Sequence, residues 1–278
     1  MCMNELRMEV EKCRAAGKVP LAVVGTAGTT VRGCYDPLRD IAGICKEEDM
    51  WFHVDGAWGG NILFSPTHRH HADGGDLADS WSWDTHKLMG IPLICSTFIA
   101  KDVSLLNTLC GHSQTAHYLL HKDTADCDLG HRSLQCGRRN DALKFWCEWK
   151  NLGDEGFAKV VDDFVGNAQL WQEKVEEHPR MEMMSERVYV NAPCRYNPTP
   201  GSTAHGIDLN ELNIEIRDKL LKTGKFMIGR ANIRDDVILR PVFCNAQTTR
   251  KTIDDLFDEI IKIGDELVES EMYQSDDD

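Results

Sequence analysis

Three short stretches carry residue types that could do chemistry. HVDGAWGG (53–60) sets one acid, Asp55, at the end of an apolar run and follows it with glycine, alanine and tryptophan. SWSWDTHKLMG (80–90) ends in an amine, Lys87, directly after His86, and GTAGTT (25–30) offers the hydroxyls of Thr26, Thr29 and Thr30 beside Gly25 and Gly28. A carboxylate among apolar neighbours is costly unless it meets a cation. A lysine amine that surrounding apolar groups keep neutral is a nucleophile. Taken singly, each feature has an ordinary reading: a strand-end acid as a turn former, a GxxG loop as a tight turn, a lysine as a solvated charge. The glycine loop has neither the GxxxxGK[ST] nor the GxGxxG spacing of nucleotide folds.

These groups must be positioned by the elements around them. Residues 4–16 read as an amphipathic helix and 20–30 as a buried strand running into a small-residue loop. DPLRDIAGICKEED reads as a helix with Asp36 as its N-cap and Pro37 at its first position. MWFHVD, DSWSWD and PLICSTFIA read as further strands, each apolar on both faces, so the expected architecture is an α/β layer with a parallel or mixed sheet. Ligands in such sheets gather outside the carboxyl ends of the strands, where Asp55, the threonines and Lys87 all fall.

After Gly137 the pattern changes to α+β. Two long helices over 139–178 are interrupted at NLGDEG; then come a strand (MSERVYV), a loop (NAPCRYNPTPGS), a helix (DLNELNIEIRDKLLKTG), short strands (KFMIG, VILRPVF) and a last helix from about Thr249. The expected division is 1–145 and 146–278. Within it the stripe Phe145, Trp146 and Trp149 has helical spacing and reads as core or subunit-interface packing.

Composition removes whole classes of function. A net charge of −14 over 278 residues leaves no basic field for nucleic acid or an anionic membrane surface. No apolar run approaches the roughly 20 residues needed to span a bilayer, and the amino end has no leader pattern. The eleven cysteines stand without a CxxC pair, as small buried hydrophobes, which makes a cytoplasmic protein the expectation. HRHH (68–71) matches no zinc spacing and reads as a solvated loop, so no metal is expected.

Order and spacing change the reading of the three stretches. GTAGTT with YDPL, then HVDGAWGG, WDTHKLMG and QCGRRNDALKFW resemble the group II pyridoxal-5′-phosphate-dependent amino-acid decarboxylases, the family of glutamate, cysteine-sulfinate and aromatic-amino-acid decarboxylases. The resemblance implies a fold type I, PLP-dependent transferase-like large domain, incomplete at its amino end, followed by a small α+β carboxyl-terminal domain. It implies pyridoxal 5′-phosphate as cofactor, with Asp55 holding the pyridine nitrogen protonated and Lys87 forming the Schiff base. Trp83, Leu88 and Met89 are expected to desolvate the Lys87 amine. By the same resemblance His86 handles protons or contacts substrate, Thr30 and Thr85 line the cofactor, Ala57 packs beneath its ring, and Arg240 in VILRPVF receives a substrate carboxylate. The implied reaction is decarboxylation of a small acidic L-amino acid (glutamate, aspartate or cysteine sulfinate) by a homodimer. An inactive fragment, or transamination or elimination on the same fold, are the alternatives.

The chain departs from the family in three places. It begins where family members already have well over a hundred residues, including a histidine that stacks on the pyridine ring, so a truncated, split or incompletely predicted chain is expected. Asp84-Thr85 stands where many relatives have Asn-Pro, and Asp84 is expected to point away from the phosphate. Cys127 occupies the position of a protonating tyrosine, which leaves Cys127, His86 and water as candidate proton donors.

Overall fold

The strands form where runs of apolar residues meet a helix able to cover them. In the computed structural model, which describes residues 1–110, 129–135, 137–199 and 207–275, β1 (Ala22–Thr26), β2 (Trp51–Asp55), β3 (Ser80–Asp84) and β4 (Ser96–Ala100) form a sheet in that order. The first three are parallel and β4 returns antiparallel. Helices α1 (Met3–Ala15) and α2 (Leu38–Glu47) precede and follow β1. The helix α2 buries Leu38, Ile41, Ile44 and Cys45, a stripe at helical spacing, in one core with Val23, Phe52 and Val54.

Asp36 does not cap α2. Its Oδ2 accepts from the Thr26 backbone N–H at 2.9 Å, joining the end of β1 to the loop that returns to the helix, and Pro37 takes the cap position without a side-chain bond. The strands also differ from the expectation of two apolar faces. Phe52 and Val54 point into the core, whereas Trp51, His53 and Asp55 alternate with them onto a half-buried polar face that β3 extends with Ser80, Ser82 and Asp84. On the outer strands Val24 and Phe98 stay exposed. Parallel sheets are ordinarily covered on both faces; here the described helices cover one.

A one-turn helix, α3 (Thr85–Leu88), follows β3, and α4 (Leu105–Cys110) follows β4. The long α5 (Asp141–Glu177) breaks at Gly153, whose φ of 66° is open to glycine, as the NLGDEG interruption predicts. Phe157, Val161, Phe164 and Val165 of α5 belong to the core of the first sheet, and Ala168, Trp171 and Val175 to a second core. The changeover therefore falls inside α5, well beyond residue 146, and Tyr189 and Val190 return to the first core. Phe145 and Trp149 pack with Phe64 and Phe157, while Trp146 is 60% exposed.

The second core lies on an antiparallel sheet of β5 (Met181–Met183), β6 (Cys194–Tyr196), β7 (Gly229–Ile233) and β8 (Asp236–Arg240), ordered β5-β6-β8-β7. Two of these strands depart from the sequence expectation. MSERVYV supplies no strand, since β5 precedes it and Val188 makes only an isolated bridge to Asn191, and β7 begins where KFMIG ends. Helix α6 (Leu209–Lys222), capped by Asp208 accepting from Asn210 N–H at 2.8 Å, shares this core with α7 (Arg250–Ser275) through Ile216, Leu220, Ile253 and Ile260.

Candidate active site

The carboxyl ends of β1, β2 and β3 lie side by side, and the candidate residues follow from that. Asp55 ends β2 and turns its side chain onto the polar face. Its Oδ1 accepts from Ala57 N–H at 3.0 Å, an Asx turn that fixes the carboxylate, and among the described residues its Oδ2 receives no hydrogen bond. Asp55 is in register with Ser82 of β3. Asp84, two residues on, shares that face as the diagonal neighbour, roughly 8 Å away at Cα by strand geometry.

Lys87 joins this group through Asp84. Its Nζ lies 2.9 Å from Asp84 Oδ2, with the lysine side chain 35% and the aspartate 20% exposed. The expected apolar surround is not what the structure shows. Trp83 points through the opposite face of β3 to Phe64 and Phe145, and Leu88 and Met89 are buried in the core. Successive strand residues face opposite ways, so the neighbours that looked apolar in sequence leave the amine with an anion. Burial pushes the Asp84 carboxyl up, but hydrogen bonds from Ser96 and Lys87 outweigh it and hold the group below the usual range.

The two residues between Asp84 and Lys87 fasten the turn. Thr85 is fully buried and donates its hydroxyl to the Cys95 carbonyl at 3.0 Å, so it faces inward and is committed to backbone. His86 Nδ1 lies 2.9 Å from the same carbonyl oxygen and 3.1 Å from the Cys95 amide nitrogen, which orients the ring. The glycines of GTAGTT also serve packing. A Cβ at Gly25 would come within 2.9 Å of Leu38 in α2, and Gly28, at φ +86°, lets its loop approach Gly59 of HVDGAWGG.

Asn191 and Arg240, from the carboxyl-terminal half of the chain, complete the constellation. Asn191, fully buried, accepts from Trp58 Nε1 at 2.9 Å and donates to the carbonyls of Thr30 and Val31, both at 2.9 Å. Arg240, at the end of β8, lays its guanidinium 5.2 Å over the Trp58 ring. Its Nε is buried and has no hydrogen-bond partner among the described residues. Burial pushes this guanidinium below its usual range. An orphaned buried donor beside an aromatic plane suits a carboxylate ligand.

Comparison with known proteins gives the chain's family. The family model described as "Pyridoxal-dependent decarboxylase conserved domain" matches residues 1–197. The chain belongs to the pyridoxal-dependent decarboxylase family. It is 34% identical to the cysteine sulfinic acid decarboxylase of Mus musculus, over 96% of this chain and 56% of that protein, and 33% identical to the glutamate decarboxylase of Drosophila melanogaster, over 96% and 54%. The crystal structure of mouse CSAD in apo form superposes with a TM-score of 0.87 at 33% identity, covering 95% of this chain and 56% of that one. That of Catharanthus roseus tryptophan decarboxylase in complex with L-tryptophan superposes at 0.83 and 28%, covering 96% and 55%. The chain thus spans about half the length of the relatives it matches.

Membership in the decarboxylase family establishes the α/β fold expected from the motifs. Besides Asn191, four residues on the polar sheet face escaped the sequence reading: Trp51, His53, Ser80 and Ser82. Their signal was present in the alternation of His53 and Asp55 on one strand with Ser80, Ser82 and Asp84 on the next, which marks a polar sheet face. HRHH folds into a 3₁₀ turn with His71 stacked on Tyr35 at 5.7 Å. Cys127 lies outside the described residues.

Proposed function

We propose that this chain carries the cofactor-holding part of a pyridoxal-phosphate-dependent carboxy-lyase for a small acidic L-amino acid. One observation carries the reading: an acid with an unengaged oxygen and an amine held by a neighbouring carboxylate open onto one sheet face, with an orphaned arginine reaching Trp58 of the acid's own loop. These are the groups that a pyridine aldehyde and an amino-acid carboxylate require, and the residues fit them. When bound, such a cofactor supplies an electron-poor ring that takes up the electron pair left at the substrate's α-carbon as carbon dioxide departs.

The chain's own residues have separable tasks. Asp55 keeps a proton on the ring nitrogen by a charge-assisted hydrogen bond. Lys87 presents Nζ once its proton and its contact with Asp84 are given up. His86, held by Cys95, stands one residue from that amine and would handle protons, Ala57 would pack against the cofactor, and Thr30, tied to Asn191, would border the site. Thr85 contributes by closing the turn that carries Lys87. Arg240, whose Nε is closed off from solvent, would offer the terminal nitrogens of its fork to a substrate carboxylate, which favours acidic substrates such as cysteine sulfinate, aspartate or glutamate. The names of the relatives point the same way.

Exposed Leu93, Ile94, Leu143 and Trp146 support association of two copies. Nine described cysteines, all free, fit a reducing cytoplasm. The test is to add pyridoxal phosphate to the purified chain, reduce with borohydride, and locate the added mass. Attachment at Lys87 that is lost in Lys87→Ala supports a cofactor site, and absence of attachment in the wild type overturns it. Carbon dioxide release from a panel of amino acids then separates decarboxylation from transamination.

A further inference from the structure

Arg240 is a half-buried arginine that carries its charge without an acid. Among the described residues no carboxylate pairs with it. Its ionisable neighbour is the Cys244 thiol, which burial pushes up, so that it faces the guanidinium uncharged at neutral pH. Arg195 of the same sheet shows the ordinary arrangement. Its Nε lies 2.8 Å from Glu182 and a terminal nitrogen 3.1 Å from Asp236, the residue that opens the strand Arg240 closes. What Arg240 has instead is an aromatic face, with its guanidinium carbon 5.2 Å over the Trp58 ring.

The ring is not free to follow the arginine. Its Nε1–H is donated to Asn191 Oδ1 at 2.9 Å, and Asn191 is locked in turn to the carbonyls of Thr30 and Val31. The next residue is tied as well: Gly59 N–H donates to the Ala27 carbonyl at 3.0 Å, and the Tyr35 hydroxyl donates to the Gly59 carbonyl at 2.9 Å. An aromatic quadrupole attracts a cation without neutralising it. A carboxylate in the same place would have cancelled the charge and consumed the N–H groups facing it. The register partner of Arg240 is Gly229, which brings no side chain against NH1; a Cβ there would stand 3.6 Å from that nitrogen. Nε is enclosed, and the terminal nitrogens make no hydrogen bond among the described residues, so they are the part of the fork left to an incoming anion.

We propose that Trp58 is a positioning residue for substrate binding: its indole face takes the place of a counter-ion, holding the Arg240 guanidinium still with its charge uncompensated for a carboxylate of an acidic amino acid. The contact stands on the geometry alone; its use in binding rests on the substrate role of Arg240 proposed above.

Two measurements test it. The first uses the full chain without cofactor: ¹H–¹⁵N NMR of the arginine Nε–H groups, with the Arg240 signal identified by its loss in Arg240→Lys. The ring current of Trp58 should move this signal upfield, and in Trp58→Leu it is expected to return to the ordinary arginine range. Titration with succinate, a dicarboxylate probe followed by the same signal, should give an affinity about tenfold lower in Trp58→Leu, the worth of a half-buried cation–π contact. Trp58→Phe, which keeps a smaller aromatic face, should fall between. A signal unmoved in Trp58→Leu, no succinate binding by the wild type, or equal affinity in the two overturns the positioning role. The second adds pyridoxal phosphate. KM for an acidic amino acid is expected to rise about tenfold in Trp58→Leu with kcat held, and borohydride should trap Lys87 at the wild-type rate. Loss of trapping together with the rise in KM would make Trp58 a support of the Asp55 loop and overturns the proposal. A wild type that attaches no cofactor overturns the proposed function instead, and the succinate titration still decides the role of Trp58.

Discussion

The Arg240 guanidinium lies 5.2 Å over the ring of Trp58, so a strand of the second domain ends against the loop that fixes Asp55 in the first. Cation–π contact sets the height of the guanidinium, and Asn191 holds the indole at its edge, accepting from Trp58 Nε1. The planar fork is left with one buried N–H unspent. An arginine placed only for stability would have used it.

Arg240→Met should therefore separate function from stability. Removing the fork is expected to lower kcat/KM for acidic amino acids by about a hundredfold, as befits loss of a desolvated charge pair, with Arg240→Lys recovering part of it. The melting temperature should stay level or rise, because the substitution also removes an unsatisfied buried polar atom. A large drop in melting temperature would assign Arg240 to structure.

Asp84→Asn tests the ion pair that holds the amine. With Lys87 released from its anion, covalent attachment of pyridoxal phosphate to Lys87 at neutral pH is expected to be about fivefold faster, in line with the ~1 kcal/mol of a partly exposed pair. Trapping with borohydride at timed intervals measures it. An unchanged or slower rate would mean that Asp84 helps rather than restrains the amine.

The candidate residues were legible in the sequence through short motifs and their order. Asp55 ends β2, Arg240 ends β8 and Lys87 lies in the one-turn helix after β3, each within a stretch that resembles the decarboxylase motifs. Their immediate neighbours were harder, since Trp83 is adjacent to Asp84 in the chain yet points through the other side of the sheet. Apolar residues near Lys87 thus suggested a dry amine where the structure has an ion pair. Asp36 misled for a similar reason. A carboxylate before a proline has the look of a cap, but a strand-end N–H 2.9 Å away claimed it. The short strands β5 and β7 were shifted because segments of three to five residues carry too little periodicity to set a boundary.

Asn191→Ala should loosen the join between the domains. The side chain is fully buried and satisfies Trp58, Thr30 and Val31 at once, so truncation strands one donor and two carbonyls. A cost of about 2–4 kcal/mol is expected from denaturant unfolding. Limited proteolysis of the native chain should gain cleavage in the 28–33 loop. Asn191→Asp, which keeps the acceptor for Trp58 but faces two carbonyls, should be worse than Ala.

Stability should also fall on mild acidification, and the sign follows from His53 and His178, with His71 lowered in the same way by burial and by His70, His68 and Arg187. His53 is desolvated by burial, with Asp55 opposing; His178, edge-on to Phe257 at 5.5 Å, is desolvated and repelled by Arg180, with Asp265 and Asp258 opposing. Both have proton affinities below the ordinary value of 6.5. Where the folded value lies lower, the unfolded chain binds the proton first, so stability is full above pH 6.5 and declines as pH drops toward the folded values. Urea midpoints measured from pH 7.5 to 5.5 should fall across that window. His178→Gln should flatten the decline by removing one of the three protonations, whereas an unchanged slope would place the titration elsewhere.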